Sequence, residues 1–134
     1  MNVQMSKRTF KLWDYNVSHN QLLIRSPKNE DINSNIDLKF VGVSYLNIPT
    51  LFEGCSFVEP SPDEIDEITY VLKGKFNIDN IFVIFTSKKR YIVVAKSCQF
   101  SENNLDIFET TLECFGHENL KWQNLKAIFS DEKL

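Results

Sequence analysis

Hydrophobic and polar residues alternate with a period of two along much of the chain, and this alternation predicts β-strands. In the stretch Thr9–Ser26, Phe10 and Leu12 follow one phase of the alternation, whereas Trp13 and Tyr15 follow the other. One inserted residue, a β-bulge, would exchange the two faces between Leu12 and Trp13. A strand buried on both faces would also tolerate the pattern, but the polar residues between the aromatic ones favour the bulge.

A turn and a return strand complete a predicted hairpin in the same stretch. Ser18, His19 and Asn20 form the turn, since Asn adopts left-handed φ and both Ser and Asn bond their own backbone. The return strand then runs from Gln21 to Arg25 and ends before Pro27, which has no N–H for the strand ladder.

Further strands are predicted where apolar runs are bounded by polar residues, Gly or Pro. The range Ile36–Ile48 predicts one long strand or a bent pair, with a change of phase beside Gly42. Cys55–Val58 predicts a short edge strand. Ile81–Thr86 is apolar at nearly every position, which is typical of a central strand covered on both faces, and Tyr91–Phe100 returns from it as a second hairpin.

Residues Ser61–Lys73 carry the strongest helix signal in the chain. Ser61 and Glu64 fit a capping box, and Pro62 suits the first helical position. Gly74 is well placed to end the helix. The apolar stripe that would face the core consists of Ile65, Ile68 and Leu72.

The C-terminal part is ambiguous between helix and strand. The spacing of apolar residues over Leu105–Phe115 favours a helix, although β-branched residues in the same range would suit a strand. A second amphipathic helix is predicted over Glu118–Phe129. Its inward positions are Trp122, Leu125 and Phe129.

Together these elements predict an α+β fold, with a curved, mostly antiparallel β-sheet and helices packed on one face. The 134 residues are expected to form one globular domain, 1–134, in which residues 1–7 and 130–134 fray. A chain of this length can bury roughly two thirds of its unfolded surface, so one core can form without disulfides.

Composition and charge narrow the functional classes. A net charge of −3 does not favour nucleic-acid binding, for which a basic domain is usual. Cys55, Cys98 and Cys114 are odd in number and lack C-x-x-C spacing, so we interpret them as buried, reduced thiols. The sequence has no run typical of a signal peptide or a membrane span, and we expect a cytoplasmic protein without membrane contact.

Few residues follow a pattern typical of catalysis or cofactor binding. The histidines, His19 and His117, lie outside any G-x-S-x-G or cysteine-protease context. Neither metal-ligand spacing nor a Gly-rich nucleotide motif is present, so we predict no metal and no cofactor and favour a non-enzymatic protein. A small metal-independent hydrolase or nuclease is the alternative, with His19, Arg25 and Tyr15 of the hairpin as its catalytic residues.

Acidic residues cluster in the two regions predicted to be helical. One interpretation is an acidic face formed by both segments, which would bind a basic protein partner. Alternatively, the acidic and basic residues of neighbouring elements neutralise one another on a solvated surface. A third hypothesis is a homo-oligomer held by an exposed sheet edge. The carboxylates assigned to the acidic face are Asp63, Asp66, Glu67, Glu109 and Glu113.

Two strings resemble those of small, uncharacterised bacterial cytosolic proteins: WDYNVSHNQLLIRS at Trp13–Ser26 and NNLDIFE at Asn103–Glu109. This resemblance implies no activity. In size, acidity and lack of catalytic motifs the chain also resembles the immunity proteins of bacterial toxin systems, which implies a toxin as the protein partner. That second resemblance is one of type, so no functional residue is carried over from it.

Overall fold

A computed structural model describes residues 5–87, 89–112 and 122–124, and these residues form two antiparallel sheets and one α-helix. In chain order the elements are β1 (Thr9–Asn16), β2 (Gln21–Ser26), β3 (Asn35–Val41), β4 (Tyr45–Asn47), β5 (Leu51–Glu53), β6 (Ser56–Val58), α1 (Pro62–Leu72), β7 (Ile81–Phe85), β8 (Arg90–Val94), β9 (Ser97–Asn103) and β10 (Gln123–Asn124). The six-stranded sheet has the strand order β10-β9-β3-β2-β1-β5, and the four-stranded sheet has the order β4-β8-β7-β6. Short 3-10 helices precede β1, at Met5–Lys7, and β7, at Ile78–Asn80.

The predicted hairpin is confirmed, including its bulge. In the antiparallel pair β1–β2, Leu12 lies opposite Ile24 and Asp14 lies opposite Leu23, so Trp13 is the extra residue. Residues 17–20 form the turn, in which Asn20 has a positive φ of 49°. The inserted residue restores the alternation on both sides of it, which is why the apolar phase of the sequence changes at this point.

The two sheets are joined at a corner where the chain passes between them twice. Gly42, with a φ of +69°, separates β3 from β4, so the predicted bent pair has its strands in different sheets. The predicted strand Tyr91–Phe100 is divided in the same way into β8 and β9, and Lys96 N–H donates to the Val41 carbonyl at 2.9 Å. A Cβ at Gly42 would lie 2.9 Å from the Lys96 side chain, so both φ and space favour glycine here.

The main core lies between the two sheets. Phe10 stacks on Phe52 with ring centroids 5.6 Å apart, and Phe40 meets Phe82 edge to face at the same distance. These aromatic rings bury large apolar areas and so contribute strongly to the hydrophobic stabilisation of the fold. Other buried members of this core include Leu22, Ile24, Ile36, Leu38, Ile84 and Val93.

The helix α1 covers the opposite face of the four-stranded sheet. Its predicted capping box is confirmed, since Glu64 N–H donates to Ser61 Oγ at 3.2 Å and Ser61 N–H donates to the Glu64 carboxylate at 2.8 Å. Ile68 is fully buried against strands β7 and β8, whose alternate side chains point into the main core. The layers are therefore the six-stranded sheet, the four-stranded sheet and the helix.

Two predictions for the fold are corrected by this arrangement. The α+β class with antiparallel strands is confirmed, but the strands form two sheets rather than one curved sheet. Residues 104–112 form turns where a helix was predicted, because side chains of Asn103, Asp106 and Thr110 accept hydrogen bonds from nearby backbone N–H groups. Within the predicted helix 118–129, β10 pairs with Phe100 and Gln99 of β9 instead. The remainder of both predicted helices lies outside the described residues.

The outer face of the six-stranded sheet carries a buried polar network. Arg25 donates from Nε and Nη2 to the two carboxylate oxygens of Asp37, at 2.7 and 2.9 Å, and both residues are 0% exposed. Asn103 donates to the same carboxylate at 2.9 Å, and Arg25 Nη1 donates to the Glu109 carbonyl at 2.7 Å. The ion pair thus connects β2, β3 and β9 with the segment 104–112, which lies over this face.

Replacement of Asp37 with Asn is expected to lower the free energy of unfolding by about 3–5 kcal/mol, because Arg25 would keep its charge in a buried site without a counter-ion. The double variant Arg25→Met/Asp37→Leu should lose less stability than Asp37→Asn alone, since neither charge then remains buried. Urea denaturation at pH 7 measures both values. A larger loss of stability in the double variant than in Asp37→Asn would contradict the interpretation that the unpaired buried charge is the cause.

Candidate protein-binding surface

The helix α1 has one buried face and one solvent face, and the solvent face carries the predicted acidic residues. At 100° per residue, the inward positions Ile65, Ile68 and Leu72 span one side of the helix. Asp63, Asp66, Glu67 and Tyr70 occupy the opposite side, and all four are exposed. We restrict the name acidic face to these four residues of α1.

Tyr70 lies at the centre of the acidic face. Its position on the helix is almost diametrically opposite the inward stripe, and its side chain is 86% exposed. The adjacent Val71 is 45% exposed. An aromatic ring this exposed adds little buried area to the packing of the helix against the sheet.

The N-terminal end of α1 is fixed to the four-stranded sheet by an ion pair. Arg90 at the start of β8 donates to the Glu64 carboxylate at 2.7 and 3.0 Å and to the Glu59 carbonyl at 2.9 Å. The hydrogen bonds from Arg90 lower the pKa of Glu64 to about 2, and those from Ser61 act in the same direction. The charge of Glu64 is therefore balanced within the fold and is not available to a partner.

The other three carboxylates of α1 are not balanced in this way. Within the described ranges, Asp63, Asp66 and Glu67 have no cation within ion-pair distance. Lys73 follows the helix in a left-handed conformation, with a φ of 55°, and Lys75 comes two residues later. The surface is thus negative along the first two turns of the helix and becomes positive just beyond its end.

The two predicted acidic stretches lie on different sides of the molecule. Asp63, Asp66 and Glu67 project from the helix layer, which covers the four-stranded sheet. Glu109 is exposed in the segment that lies over the outer face of the six-stranded sheet, and Glu113 is outside the described residues. The structure therefore does not join Glu109 to the face that α1 presents.

The hairpin residues named for the enzymatic alternative are likewise not brought together. His19 is exposed in the turn, where its Nδ1 lies 3.0 Å from Ser18 Oγ, and Tyr15 donates to the Asn20 side chain at 3.2 Å. Arg25 is buried in the ion pair with Asp37, four residues along β2 from Gln21. At about 3.3 Å per residue, that places it roughly 13 Å from the turn. His117 lies outside the described residues.

The described part of the chain also bears on metal binding, membrane insertion and thiol chemistry. No group of three or more His, Cys, Asp or Glu side chains there is arranged to hold a metal ion. No helix there has both the length and the apolar character that spanning a bilayer requires. Cys55 and Cys98 are free, buried thiols, and burial raises the pKa of both.

Sequence reasoning identified the carboxylates of α1 but did not identify Tyr70. The signal for it was present, because Tyr70 falls three and four residues after Glu67 and Asp66 and outside the apolar stripe of the same helix. A large aromatic residue at a position where the helical pattern favours a polar one is a departure from what the fold requires.

Replacement of Arg90 with Gln is expected to destabilise the protein by about 1 kcal/mol at pH 7, a value limited by the partial exposure of the pair. The folded-state pKa of Glu64 is depressed, so this stabilisation is present above pH 4.5 and is lost as the pH falls towards 2. Urea denaturation between pH 7 and pH 2 should therefore show a smaller difference between the variant and the native protein at the acid end. Lys89→Gln, which removes a neighbouring exposed charge, is the matched control, and a similar loss in this control would contradict a specific role for Arg90.

No family model, no curated protein and no solved structure matches this chain.

Proposed function

We propose that the protein is a non-enzymatic binding module whose acidic face docks on a basic surface of another protein. The observation that carries the proposal is the placement of three unbalanced carboxylates around a tyrosine that is 86% exposed. A basic peptide segment or a basic rim around an active site has the complementary chemistry.

The two kinds of side chain in this face would have different roles in binding. Tyr70 supplies a large contact area with only two side-chain torsions to immobilise, and Tyr is among the residues that dominate binding energy at protein interfaces. Asp63, Asp66 and Glu67 would mainly accelerate association and exclude acidic partners, since exposed charges act more on rate and specificity than on affinity.

The folding of α1 does not require these residues. Asp63 lies in the first turn, where a negative charge interacts favourably with the helix dipole, but Asp66 and Glu67 lie beyond it. Packing against the sheet depends on Ile65, Ile68 and Leu72. Because the solvent face can be changed without loss of the core, its composition supports a role in recognition.

An inhibitor of a bacterial toxin is the form of this function that the resemblance in type to immunity proteins suggests. Such a protein would cover a basic, substrate-binding surface of the toxin with α1 and would need no catalytic group of its own. A reducing, cytoplasmic location is part of the proposal, and the free thiols of Cys55 and Cys98 are consistent with it.

Neutralisation of the acidic face with Asp63→Asn, Asp66→Asn and Glu67→Gln is expected to slow association with a basic partner about tenfold, because electrostatic steering is lost. The probe is a set of peptides selected from a random display library on the immobilised native protein. We expect these peptides to be rich in Lys and Arg with at least one large apolar residue. Surface plasmon resonance at low and physiological salt gives the association rates, which should depend less on salt in the variant.

The matched control for this experiment is the triple variant Glu30→Gln, Asp31→Asn and Glu53→Gln. It changes the net charge equally but alters exposed residues elsewhere. Tyr70→Ala should weaken binding of the selected peptides about tenfold or more through faster dissociation, while thermal stability is retained or slightly raised. Selected peptides that bind all of these variants as they bind the native protein would refute the proposal.

Self-association through α1 is the competing explanation of the same surface. Sedimentation velocity separates the two, since a second copy as partner would give a dimer that Tyr70→Ala dissociates. A monomer that binds basic peptides supports the module, whereas a dimer without peptide binding assigns the surface to a homo-oligomer.

A further inference from the structure

A cavity of about 280 Å³ lies between the beginning of β1 and the loop that follows β2. It forms there because the ladder between the two strands ends: Lys11 and Arg25 are the last pair, and Pro27 has no N–H with which to continue. At about 30 Å³ per water molecule, its volume corresponds to roughly nine waters. That is enough space for a small organic molecule.

The walls of this cavity are held in place by hydrogen bonds. Arg8 donates to the carbonyls of Ser26 at 3.0 Å and Ser34 at 2.6 Å, which fastens both ends of the loop to the start of β1. Within the loop, the Asn29 side-chain oxygen accepts from the backbone N–H groups of Asp31 and Ile32, at 2.8 and 2.9 Å. The cavity is therefore a preformed feature of the fold.

Residues 1–28 of the sequence contain five cationic side chains, at positions 7, 8, 11, 25 and 28. Some of them form hydrogen bonds within the fold, and others lie at the cavity. Arg8, Arg25 and Lys28 donate hydrogen bonds to other parts of the chain. Lys7 and Lys11 line the cavity, and neither forms an ion pair with any residue that the structure describes.

The other polar side chains that line the cavity belong to Thr9, Ser26 and Asn29 and carry no negative charge, and Glu53, opposite Thr9 on β5, is a neighbouring carboxylate. Thr9, which lies between the two lysines, contributes a hydroxyl, and Asn29 contributes an NH₂ group because its oxygen is already occupied. Pro27 and Ile32 supply an apolar wall. The described lining thus combines two positive charges, neutral donors and a hydrophobic surface, with no carboxylate.

From this lining we propose that the cavity binds a small phosphate monoester, with the phosphate between Lys7 and Lys11 and an apolar body against Pro27 and Ile32. Two ammonium groups match the double negative charge of a phosphate monoester near pH 7. The site belongs to the six-stranded sheet, whereas the acidic face belongs to the helix layer. Ligand binding here is therefore independent of the proposed protein-binding function.

Isothermal titration calorimetry with phenyl phosphate on the full chain tests the proposal. We expect binding to weaken tenfold or more in Lys7→Met/Lys11→Met, because both opposite charges are removed. Lys73→Met/Lys75→Met is the matched control, since it removes the same charge from exposed residues beyond α1 and should bind as the native protein does. Thermal unfolding verifies that each variant folds, as the replaced side chains are all exposed.

Three ligand comparisons complete the experiment. Phenyl phosphate should bind more tightly than inorganic phosphate, through the apolar wall, and more tightly than benzoate, which carries a single charge. Affinity should rise between pH 5 and pH 7 as the ester gains its second charge, which has a pKa near 6. Absence of binding to the native protein at millimolar ligand, or an equal loss in the Lys73/Lys75 control, would overturn the proposal.

Discussion

The buried ion pair between Arg25 and Asp37 is the constraint on which the outer side of the six-stranded sheet depends. Two fully buried charges have a desolvation cost of several kcal/mol each, and it is offset only where geometry and additional hydrogen bonds are good. Here the pair is bidentate, Asn103 donates to the same carboxylate, and the Glu109 carbonyl accepts a third hydrogen bond from the guanidinium group. Strands β2, β3 and β9 and the segment 104–112 must therefore all be correctly placed for this one ion pair to be satisfied.

The bulge in β1 is connected with this network. The ring centroid of Trp13, the inserted residue, lies 5.1 Å from the Arg25 guanidinium carbon, so the aromatic ring covers one side of the buried cation. In a strand without the bulge, the side chains that follow Leu12 would point to the opposite faces of the sheet. The change of phase that is visible in the sequence thus has a consequence on the partner strand, where it protects the buried arginine.

Local features of the sequence predicted local features of the structure well. Ser61 and Glu64 are three residues apart and cap the helix by themselves, and the bulge at Trp13 follows from its immediate neighbours. The division into two sheets could not be predicted in this way, because the exchange at Gly42 depends on contact with Lys96, more than fifty residues away. Strand alternation places Asp37 on a polar face, and only the distant segment 104–112 turns that face into an interior.

The two candidate sites also differ in whether they depend on local sequence or on contacts between distant residues. Lys7 and Lys11 share a cavity with Asn29 only because Pro27 ends the ladder and Arg8 fastens the loop, and no local pattern in the sequence predicts that combination.

The acidic face of α1, by contrast, is visible in the sequence as a departure from what the helix requires. Tyr is less favourable than Ala in a helix by roughly half a kcal/mol, and an exposed ring adds no burial to compensate. Ala, Lys or Gln at position 70 would therefore serve the fold better. Tyr70 therefore departs from the local preference of the helix, at the centre of three unbalanced carboxylates, and this departure is what supports the proposed docking on another protein.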